Sequence, residues 1–280
     1  MISGDENTEP ADYVAAEWLA GKRQLLALSV GCGTGREEVR WARTGRFRRI
    51  DAYDLSEPRI REAARYAKAE GCADKIRFHA ADVRELKAPK GTYDVVIAEG
   101  ALHHLSPLAD VISFLESALK PGGYLVLKDF VGPSRFQWTG RQLEAVDCLL
   151  AVLPERYRRR WMTGTVKRRF FRPSRLSMLL SDPSEAAESS RILPLLSEWF
   201  EPVERTGIGG TLLHLLFNDI AHNFLSEDAE SRRLLRLCFA AEDKLLASRE
   251  LASDFVFGVF RKRMSRPNPG GGGTGPLDER

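Results

Sequence analysis

Cysteine is scarce in this sequence, and its four cysteines lie far apart. They are Cys32, Cys72, Cys148 and Cys238 in a chain of 280 residues, and no two of them form a C-x-x-C pair. This spacing argues against a structural zinc site and against a disulfide framework. We therefore predict reduced thiols and no bound metal.

Long apolar runs are also missing. No run approaches the roughly 20 residues that span a bilayer, and the acidic opening "MISGDENTEPAD" lacks the basic and apolar regions of a secretory signal. We therefore predict a cytoplasmic protein without a transmembrane segment. With 43% hydrophobic and 29% charged residues, the chain can bury one large core and carry an accessory layer on it.

Acidic residues are nearly absent from one stretch, 154–175. It carries nine Arg or Lys against the single acid Glu155, a charge of +8, so the net charge of +3 leaves −5 for the rest of the chain. Arginines interleaved with aromatic residues are typical of a surface that grips a single-stranded nucleic acid. An anionic membrane surface, an anionic small molecule and a merely solvated basic face are the other interpretations. Residues 265–280 have too few apolar side chains to fold, and we predict that they are disordered.

Short β-rich runs alternate with helical patterns in the first half of the chain, which is typical of a parallel sheet built from βαβ units. The predicted strands of this half are 25–30, 49–55, 75–83, 93–100 and 124–132. Later in the chain, the patterns predict further helices and two more strands, in the order 137–153, 174–180, 185–200, 201–208 and 254–263.

Three glycines follow the first strand in "LSVGCGTGREE". Gly31, Gly33 and Gly35 allow the backbone to approach a ligand at the carboxyl end of the sheet. A dinucleotide fingerprint would need its third glycine at position 36, where the chain has Arg36, so a bound diphosphate is disfavoured. One acid ends the second strand (Asp54) and another closes the third (Asp82), which suits the ribose and the exocyclic amine of a nucleoside without phosphates. S-adenosylmethionine is such a ligand.

The order of these motifs resembles that of the class I S-adenosylmethionine-dependent methyltransferases. "LSVGCGTG", "IDAYDLS", "HAADVREL", "YDVVIAEGALHHLSP" and "LKPGGYLVLKDF" look like five successive motifs of that family. The resemblance implies an α/β fold with a seven-stranded, mostly parallel Rossmann-like sheet, ordered 3-2-1-4-5-7-6 with strand 7 antiparallel. It also implies a set of cofactor-binding residues, namely Gly31, Cys32, Gly33, Gly35, Asp54, Leu55, Asp82, Val83, Glu99 and Gly100. Glu99 has two interpretations, a surface residue or the partner of the cofactor's amino group.

His103 and His104 lie just after the fourth predicted strand, where the methyl group should emerge. A histidine there can act as the base that methyl transfer to a protonated nucleophile needs. Of the two we favour His104, with His103 turned towards the protein. The alternative is that "LHHL" only packs one ring against the cofactor and caps the next turn.

The chain carries two predicted insertions that leave carboxyl ends of strands and should form a lid over the cofactor. Their side chains supply candidate substrate contacts, and His214, Asn218 and His222 are four residues apart, as on one helix face. The candidates are Arg135, Trp138, His214, Asn218 and His222. The predicted boundaries are a cofactor-binding core at 1–132, a basic helical insertion at 133–184, a return to the core at 185–207, a second insertion at 208–252, the last strand at 253–264 and the tail at 265–280.

The sequence therefore predicts a methyltransferase acting on an O or N atom of a small, anionic or sugar-type acceptor. No N/D-P-P-Y/F motif follows strand four, and we find no acid cluster of the metal-dependent catechol enzymes. An RNA-binding or RNA-modifying protein of the same fold and a non-catalytic binding module are the alternatives. A nicotinamide oxidoreductase is disfavoured by Arg36. The sequence leaves the oligomeric state open.

Overall fold

A computed structural model describes residues 8–86, 89–226 and 228–264 of the chain. The predicted disordered tail, 265–280, lies outside the described residues.

Seven strands form one sheet at the centre of the protein. β1 pairs in parallel with β2 and β4, and the parallel pairing continues from β2 to β3 and from β4 to β5. β7 lies antiparallel between β5 and β6. The order 3-2-1-4-5-7-6 and the antiparallel seventh strand are thus confirmed. The strands are β1 (Leu25–Val30), β2 (Phe47–Asp54), β3 (Ile76–Ala80), β4 (Tyr93–Glu99), β5 (Leu119–Phe130), β6 (Phe200–Gly207) and β7 (Phe255–Lys262).

Helices cover both faces of the sheet because alternate residues of each inner strand point to opposite sides. Leu28 belongs to a buried cluster with α4 and α7, whereas its neighbour Ala27 belongs to another cluster with α1 and α2. The helices among the described residues are α1 (Pro10–Glu17), α2 (Arg36–Arg43), α3 (Glu57–Ala69), α4 (Leu108–Ala118), α5 (Gly140–Val152), α6 (Arg175–Ser181), α7 (Ile192–Trp199), α8 (Leu213–Phe217) and α9 (Ala229–Ala247).

The two insertions share a third hydrophobic cluster. Val146 and Leu150 of α5 pack there with Leu215 and Leu216 of α8 and with Cys238 of α9. The first insertion follows β5 and the second follows β6, so both begin at the carboxyl edge of the sheet. At the start of α5, Thr139 and Gln142 form a capping box, which stabilises the first turn.

The helix expected at 185–200 is shorter than its sequence pattern suggests. Only Ile192–Trp199 is α-helical, because the residues before it make other contacts. Ala186 accepts a hydrogen bond from the backbone of Arg135 at 2.6 Å, and the Glu188 side chain accepts one from the backbone N–H of Leu108. Ala186 also has a φ of +46°, which an α-helix cannot contain.

The expectation that His214, Asn218 and His222 share one helix face is wrong. α8 ends at Phe217, and Asn218 leaves the helix with φ −51° and ψ 123°. The buried Lys167 ammonium explains the break, because it binds the carbonyl oxygens of Leu215, Leu216 and Asn218 at 2.7–3.1 Å. His222 lies in a separate 3₁₀ turn, Ala221–Phe224.

None of the described helices is both long and apolar enough to cross a lipid bilayer.

Candidate active site

The glycine turn joins the end of β1 to the start of α2. Its backbone approaches the turn after β4 and helix α3 so closely that side chains would not fit. A Cβ on Gly31 would lie 2.7 Å from Cβ of Ala101, and a Cβ on Gly35 would lie 2.8 Å from Cβ of Ala63. Both glycines also have positive φ, +67° and +76°. The turn therefore requires glycine for its shape and for its packing.

Asp54 lies at the end of β2, beside the glycine turn. Its Oδ2 accepts a hydrogen bond from the backbone N–H of Gly33 at 2.9 Å, and its Oδ1 accepts one from that of Ser56 at 2.8 Å. Two backbone bonds thus fix the carboxylate while each oxygen keeps capacity for a ligand hydroxyl. The next side chain, Leu55, is 74% exposed, which is unusual for leucine and leaves an apolar surface beside Asp54.

Asp82 and Val83 follow β3, the strand next to β2. Arg84 forms an ion pair with the Asp82 carboxylate and also donates its backbone N–H to Oδ1 at 2.9 Å. These hydrogen bonds to Arg84 lower the pKa of Asp82. The Asp82 carboxylate is therefore ionised and already held by one partner, whereas Val83 packs its side chain into the core.

Glu99 lies at the end of β4 and is not the surface residue that one interpretation allowed. Its Oε1 accepts a hydrogen bond from Nε1 of Trp41 at 2.8 Å. Its Oε2 is buried and has no hydrogen-bond partner among the described residues. Burial raises the pKa of this carboxyl group. The next residue, Gly100, donates its backbone N–H to the carbonyl of Lys128 on β5 at 2.8 Å.

A second buried acid, Glu38, lies on the first turn of α2 and was not predicted from the sequence. Only 2% of Glu38 is exposed, and its Oε1 accepts a hydrogen bond from the Ser29 hydroxyl at 2.6 Å. Its Oε2 also lacks a partner among the described residues. Burial raises the pKa of Glu38 to about 7. Its hydrogen bond from Ser29 of β1 and its electrostatic effect on Cys32 place Glu38 close to the glycine turn.

His103 and His104 lie in a 3₁₀ turn after β4, and their environments differ. Nδ1 of His103 contacts Oδ1 of Asp129, a buried carboxylate at the end of β5. The other Asp129 oxygen accepts backbone N–H groups from Ala101 at 3.2 Å and from Leu102 at 2.7 Å. The His103 side chain is 14% exposed and that of His104 is 39% exposed. Asp129 therefore fixes the ring of His103 and leaves His104 more open.

The charge state of His103 depends on several acids. Burial lowers the pKa of its ring, but the hydrogen bond and charge of Asp129 and the charges of Glu185 and Asp182 raise it, and the net direction is upward. Glu185 follows the first insertion, and its carboxylate oxygens lie 3.7 Å from Nε2 of His103 and 3.7 Å from Nε2 of His104.

Aromatic rings from the core and from both insertions meet at the carboxyl end of β5. Phe130 of β5 packs edge-on against His103, Phe136 and His214, with ring centroids 6.4, 5.1 and 6.2 Å away. Trp138, buried in the first insertion, stacks on Phe136 at 5.0 Å. Burial lowers the pKa of His214. The structure thus brings the predicted residues Trp138 and His214 together near His103.

Arg135, Asn218 and His222 have other surroundings. The guanidinium of Arg135 donates to the carbonyl of Pro183 at 2.6 Å and so holds the segment that carries Glu185. Asn218 lies beyond the end of α8, where its carbonyl binds Lys167. His222 packs against Trp161 in the basic stretch, with ring centroids 5.0 Å apart.

Many cations of the basic stretch have partners within the chain. Arg159 pairs with Glu155 at 3.0 Å, and Arg160 pairs with Asp219 at 3.2 Å. Arg156 forms an ion pair with Glu230, and Arg172 donates to the carbonyl of Trp138. Two of these cations, Arg156 and Arg160, therefore join the two insertions, and the other two bind within the first insertion.

Comparison with known proteins supports the family suggested by the motifs. A family model described as a methyltransferase domain matches residues 27–123. The 27-O-demethylrifamycin SV methyltransferase of Amycolatopsis mediterranei (strain S699) is 35% identical over 127 residues, which cover 44% of this chain and 46% of that protein. Residues 27–123 thus match a methyltransferase-domain family, and the sheet has the Rossmann-like fold of the class I S-adenosylmethionine-dependent methyltransferases. It spans about half the length of the curated relatives it matches.

Solved structures share the fold of this chain at low sequence identity. Geranyl diphosphate methyltransferase in complex with S-adenosylmethionine aligns with a TM-score of 0.53 and 15% identity, over 90% of this chain and 84% of that one. The [4+2]-cyclase SpnF aligns with a TM-score of 0.53 and 18% identity, over 91% and 81%. Because one of these proteins is named as a cyclase, the fold alone does not specify the reaction.

The residues of the candidate site fit S-adenosylmethionine. The order of β3, β2, β1 and β4 brings the glycine turn, Asp54, Leu55, Val83 and Glu99 to one edge of the sheet. The unpaired Oε2 atoms of Glu38 and Glu99 suit an ammonium group, and the exposed Leu55 suits an adenine ring. A cofactor bound here would satisfy buried groups that the described residues leave without partners.

Sequence reasoning missed Asp129, Glu185 and Phe130. Asp129 had a usable signal, because a charged residue near the carboxyl end of an apolar strand is unusual in a parallel sheet. Glu185 had none, since it lies in an irregular segment some 80 residues from the histidines that it approaches.

Proposed function

We propose that the chain transfers a methyl group from S-adenosylmethionine to a hydroxyl oxygen of a small molecule, with His103 as the general base. The contact between His103 and the buried Asp129 carries this proposal. Bound S-adenosylmethionine would supply an activated methyl group. The backbone of the glycine turn, Asp54 and Glu99 would hold the cofactor. His103 and His104 would act on the acceptor.

The pair of Asp129 and His103 suits proton removal from a hydroxyl group. Asp129 accepts the Nδ1–H of neutral His103, which leaves a lone pair on Nε2. That nitrogen can take the acceptor's proton while Asp129 stabilises the resulting imidazolium. The sequence favoured His104 as the base, but the contact with Asp129 supports His103. His104, at 39% exposure, can orient the acceptor beside it.

The surroundings of the histidines favour an uncharged or cationic acceptor over the anionic one expected from the sequence. Asp129, Asp182 and Glu185 all act electrostatically on His103. The guanidinium of Arg135 is occupied by backbone carbonyls and does not offset these acids. Phe130, Phe136 and His214 offer flat apolar surface for a ring-containing acceptor.

The relative from Amycolatopsis mediterranei supports an oxygen acceptor, since its name describes an O-demethylated substrate. A nucleic acid acceptor has less support, because Arg156, Arg159 and Arg160 are paired within the chain. We also propose that the two insertions act as a lid, as their shared cluster at the carboxyl end of β5 suggests.

The experiment is methyl transfer to a panel of small hydroxyl and amine compounds, measured as S-adenosylhomocysteine release. On any compound that is methylated, His103→Gln should lower kcat by about 10²–10⁴-fold without weakening cofactor binding. The rate should rise with pH through an apparent pKa above the usual 6.5 of histidine, and Asp129→Asn should lower that pKa. His222→Gln is the matched control and should behave as the wild type. Methylation of amines alone, or full activity of His103→Gln, would contradict the proposal.

A further inference from the structure

Three side chains that could bind a metal ion converge at the mouth of the candidate active site. His103, His104 and Glu185 each place one ligand atom within 4.8 Å of the others. Each Glu185 oxygen lies 3.7 Å from Nε2 of one histidine. The sequence predicted no metal because the cysteines are dispersed. This cluster consists of two histidine nitrogens and a carboxylate from a distant part of the chain. The spacing of the cysteines therefore could not have predicted it.

The distances in the cluster are somewhat longer than those of a formed metal site. Zinc binds histidine nitrogen and carboxylate oxygen at about 2.0–2.2 Å, which puts the ligand atoms of a tetrahedral site about 3.4 Å apart. The two separations of 3.7 Å exceed this by a few tenths of an ångström and involve different Glu185 oxygens, whereas one ligand atom from each residue fits within 4.8 Å, so the side chains would rotate closer around a bound ion. The Glu185 side chain is 27% exposed and that of His104 is 39% exposed, so an ion and its water ligands can reach them.

The orientation of His103 is a second, independent feature of metal sites. Histidine ligands usually donate their other ring N–H to a carboxylate, which fixes the ring and its tautomer. Asp129 has this relation to His103, because it contacts Nδ1 and is itself held by the N–H groups of Ala101 and Leu102. Asp129 therefore fixes the ring of His103 with Nε2 directed towards Glu185.

We propose that His103, His104 and Glu185 bind a first-row divalent cation, with Zn²⁺ as the best match to two imidazoles and one carboxylate. Three protein ligands leave a fourth position for water. The ion would join the turn after β4 to the segment that follows the first insertion, at a point where Arg135 already holds that segment.

The proposal goes beyond the proposed function and does not depend on it, since the cation needs neither cofactor nor acceptor. The proposed metal site and the proposed methyl transfer both use Nε2 of His103. Nε2 of His103 cannot hold a metal ion and accept a proton at the same time, so Zn²⁺ should inhibit methyl transfer wherever His103 is the base.

Calorimetric titration of the full chain with ZnCl₂ at pH 8, without cofactor, tests the site. We expect one strong site in the wild type and a loss of affinity in Glu185→Gln and in His104→Gln of about tenfold or more. His222→Gln and Cys148→Ser are controls, because a histidine or an exposed thiol elsewhere should not matter. Equal affinity in the wild type and Glu185→Gln, or no strong site in the wild type, would overturn the proposal.

A second measurement serves if a variant does not fold. In ¹H–¹⁵N spectra of the histidine rings of the wild type, Zn²⁺ should move the signals of His103 and His104 and leave those of His79 and His222 in place. Movement of His79 or His222 with His103 unchanged would equally overturn the proposal. Neither measurement uses turnover, so a failure here is separate from a failure of the proposed methyl transfer.

Discussion

Asp129 and Asp254 are two buried aspartates at the carboxyl end of β5, and their different partners give them different roles. Asp129 contacts the ring of His103 and receives backbone N–H groups. Asp254, just before β7, receives a hydrogen bond from the Gln142 amide at 2.9 Å and has no cation within reach among its described contacts. Burial therefore raises the pKa of Asp254 to about 7.

A buried carboxyl with a raised pKa makes stability depend on pH. Between the unfolded pKa of 3.8 and the folded value of about 7, the folded state keeps a proton that the unfolded state releases. Stability should thus fall with rising pH in this window, by up to about 1.4 kcal/mol per pH unit. Asp254→Asn keeps an oxygen that accepts the hydrogen bond from Gln142. Because asparagine does not titrate, this variant should lose the contribution of Asp254 to the fall of stability with pH.

Urea unfolding from pH 4 to pH 8 measures the effect. Asp254→Asn should gain stability relative to the wild type as pH rises. Asp243→Asn, an exposed change on α9, is the control and should follow the wild type. Parallel curves for wild type and Asp254→Asn would show that Asp254 is already ionised in the folded protein at low pH.

At the scale of elements, the sequence predicted the sheet well because its strands are short apolar runs bounded by turn residues. β1 and the glycine turn illustrate this, since burial on both faces makes Leu25–Val30 apolar except at Ser29. The motifs could suggest cofactor residues because these residues follow strands directly. The insertions were harder to predict, because no strand fixes where their helices begin and end.

The break in α8 shows why the rest could not be predicted. Residues 213–222 have a helical pattern, but the helix ends where Lys167, some 50 residues earlier in the chain, binds its last carbonyls. A contact between distant segments overrides local propensity. The same holds for Ala186, where a hydrogen bond from Arg135 replaces a turn of helix.

Lys167 should therefore stabilise the insertions more than the sheet. In Lys167→Met, the buried carbonyls of Leu215 and Leu216 and the carbonyl of Asn218 lose their donor, and we expect a loss of about 2–4 kcal/mol in the stability of this region. Hydrogen exchange should accelerate in α8 and α5 while β1 and β4 keep their protection. The exposed neighbouring change Arg168→Met is the matched control. Uniform acceleration across the sheet would instead mean that the insertions and the core unfold together.

At the scale of the whole molecule, the antiparallel β7 places the second insertion beside the first. β6 runs parallel to β5 although β7 separates them, so the segments that follow β5 and β6 leave from the same edge of the sheet. Their side chains then form one cluster, in which Trp138 and His214 contact each other next to Phe130. The topology thus connects both insertions to the end of the strand that carries Asp129.

This connection predicts a cofactor response well beyond the cofactor's own contacts. If the insertions form a lid, S-adenosylhomocysteine should slow hydrogen exchange in Gly140–Val152 and Leu213–Phe217 as well as in the glycine turn and at Asp54. NAD is the control ligand and should protect none of these segments, because Arg36 occupies the position of the third fingerprint glycine. Protection limited to residues 31–35 and Asp54 would mean that the insertions do not close on the cofactor. In that case the rings around Phe130 would serve the acceptor or another partner without sensing whether the cofactor is bound.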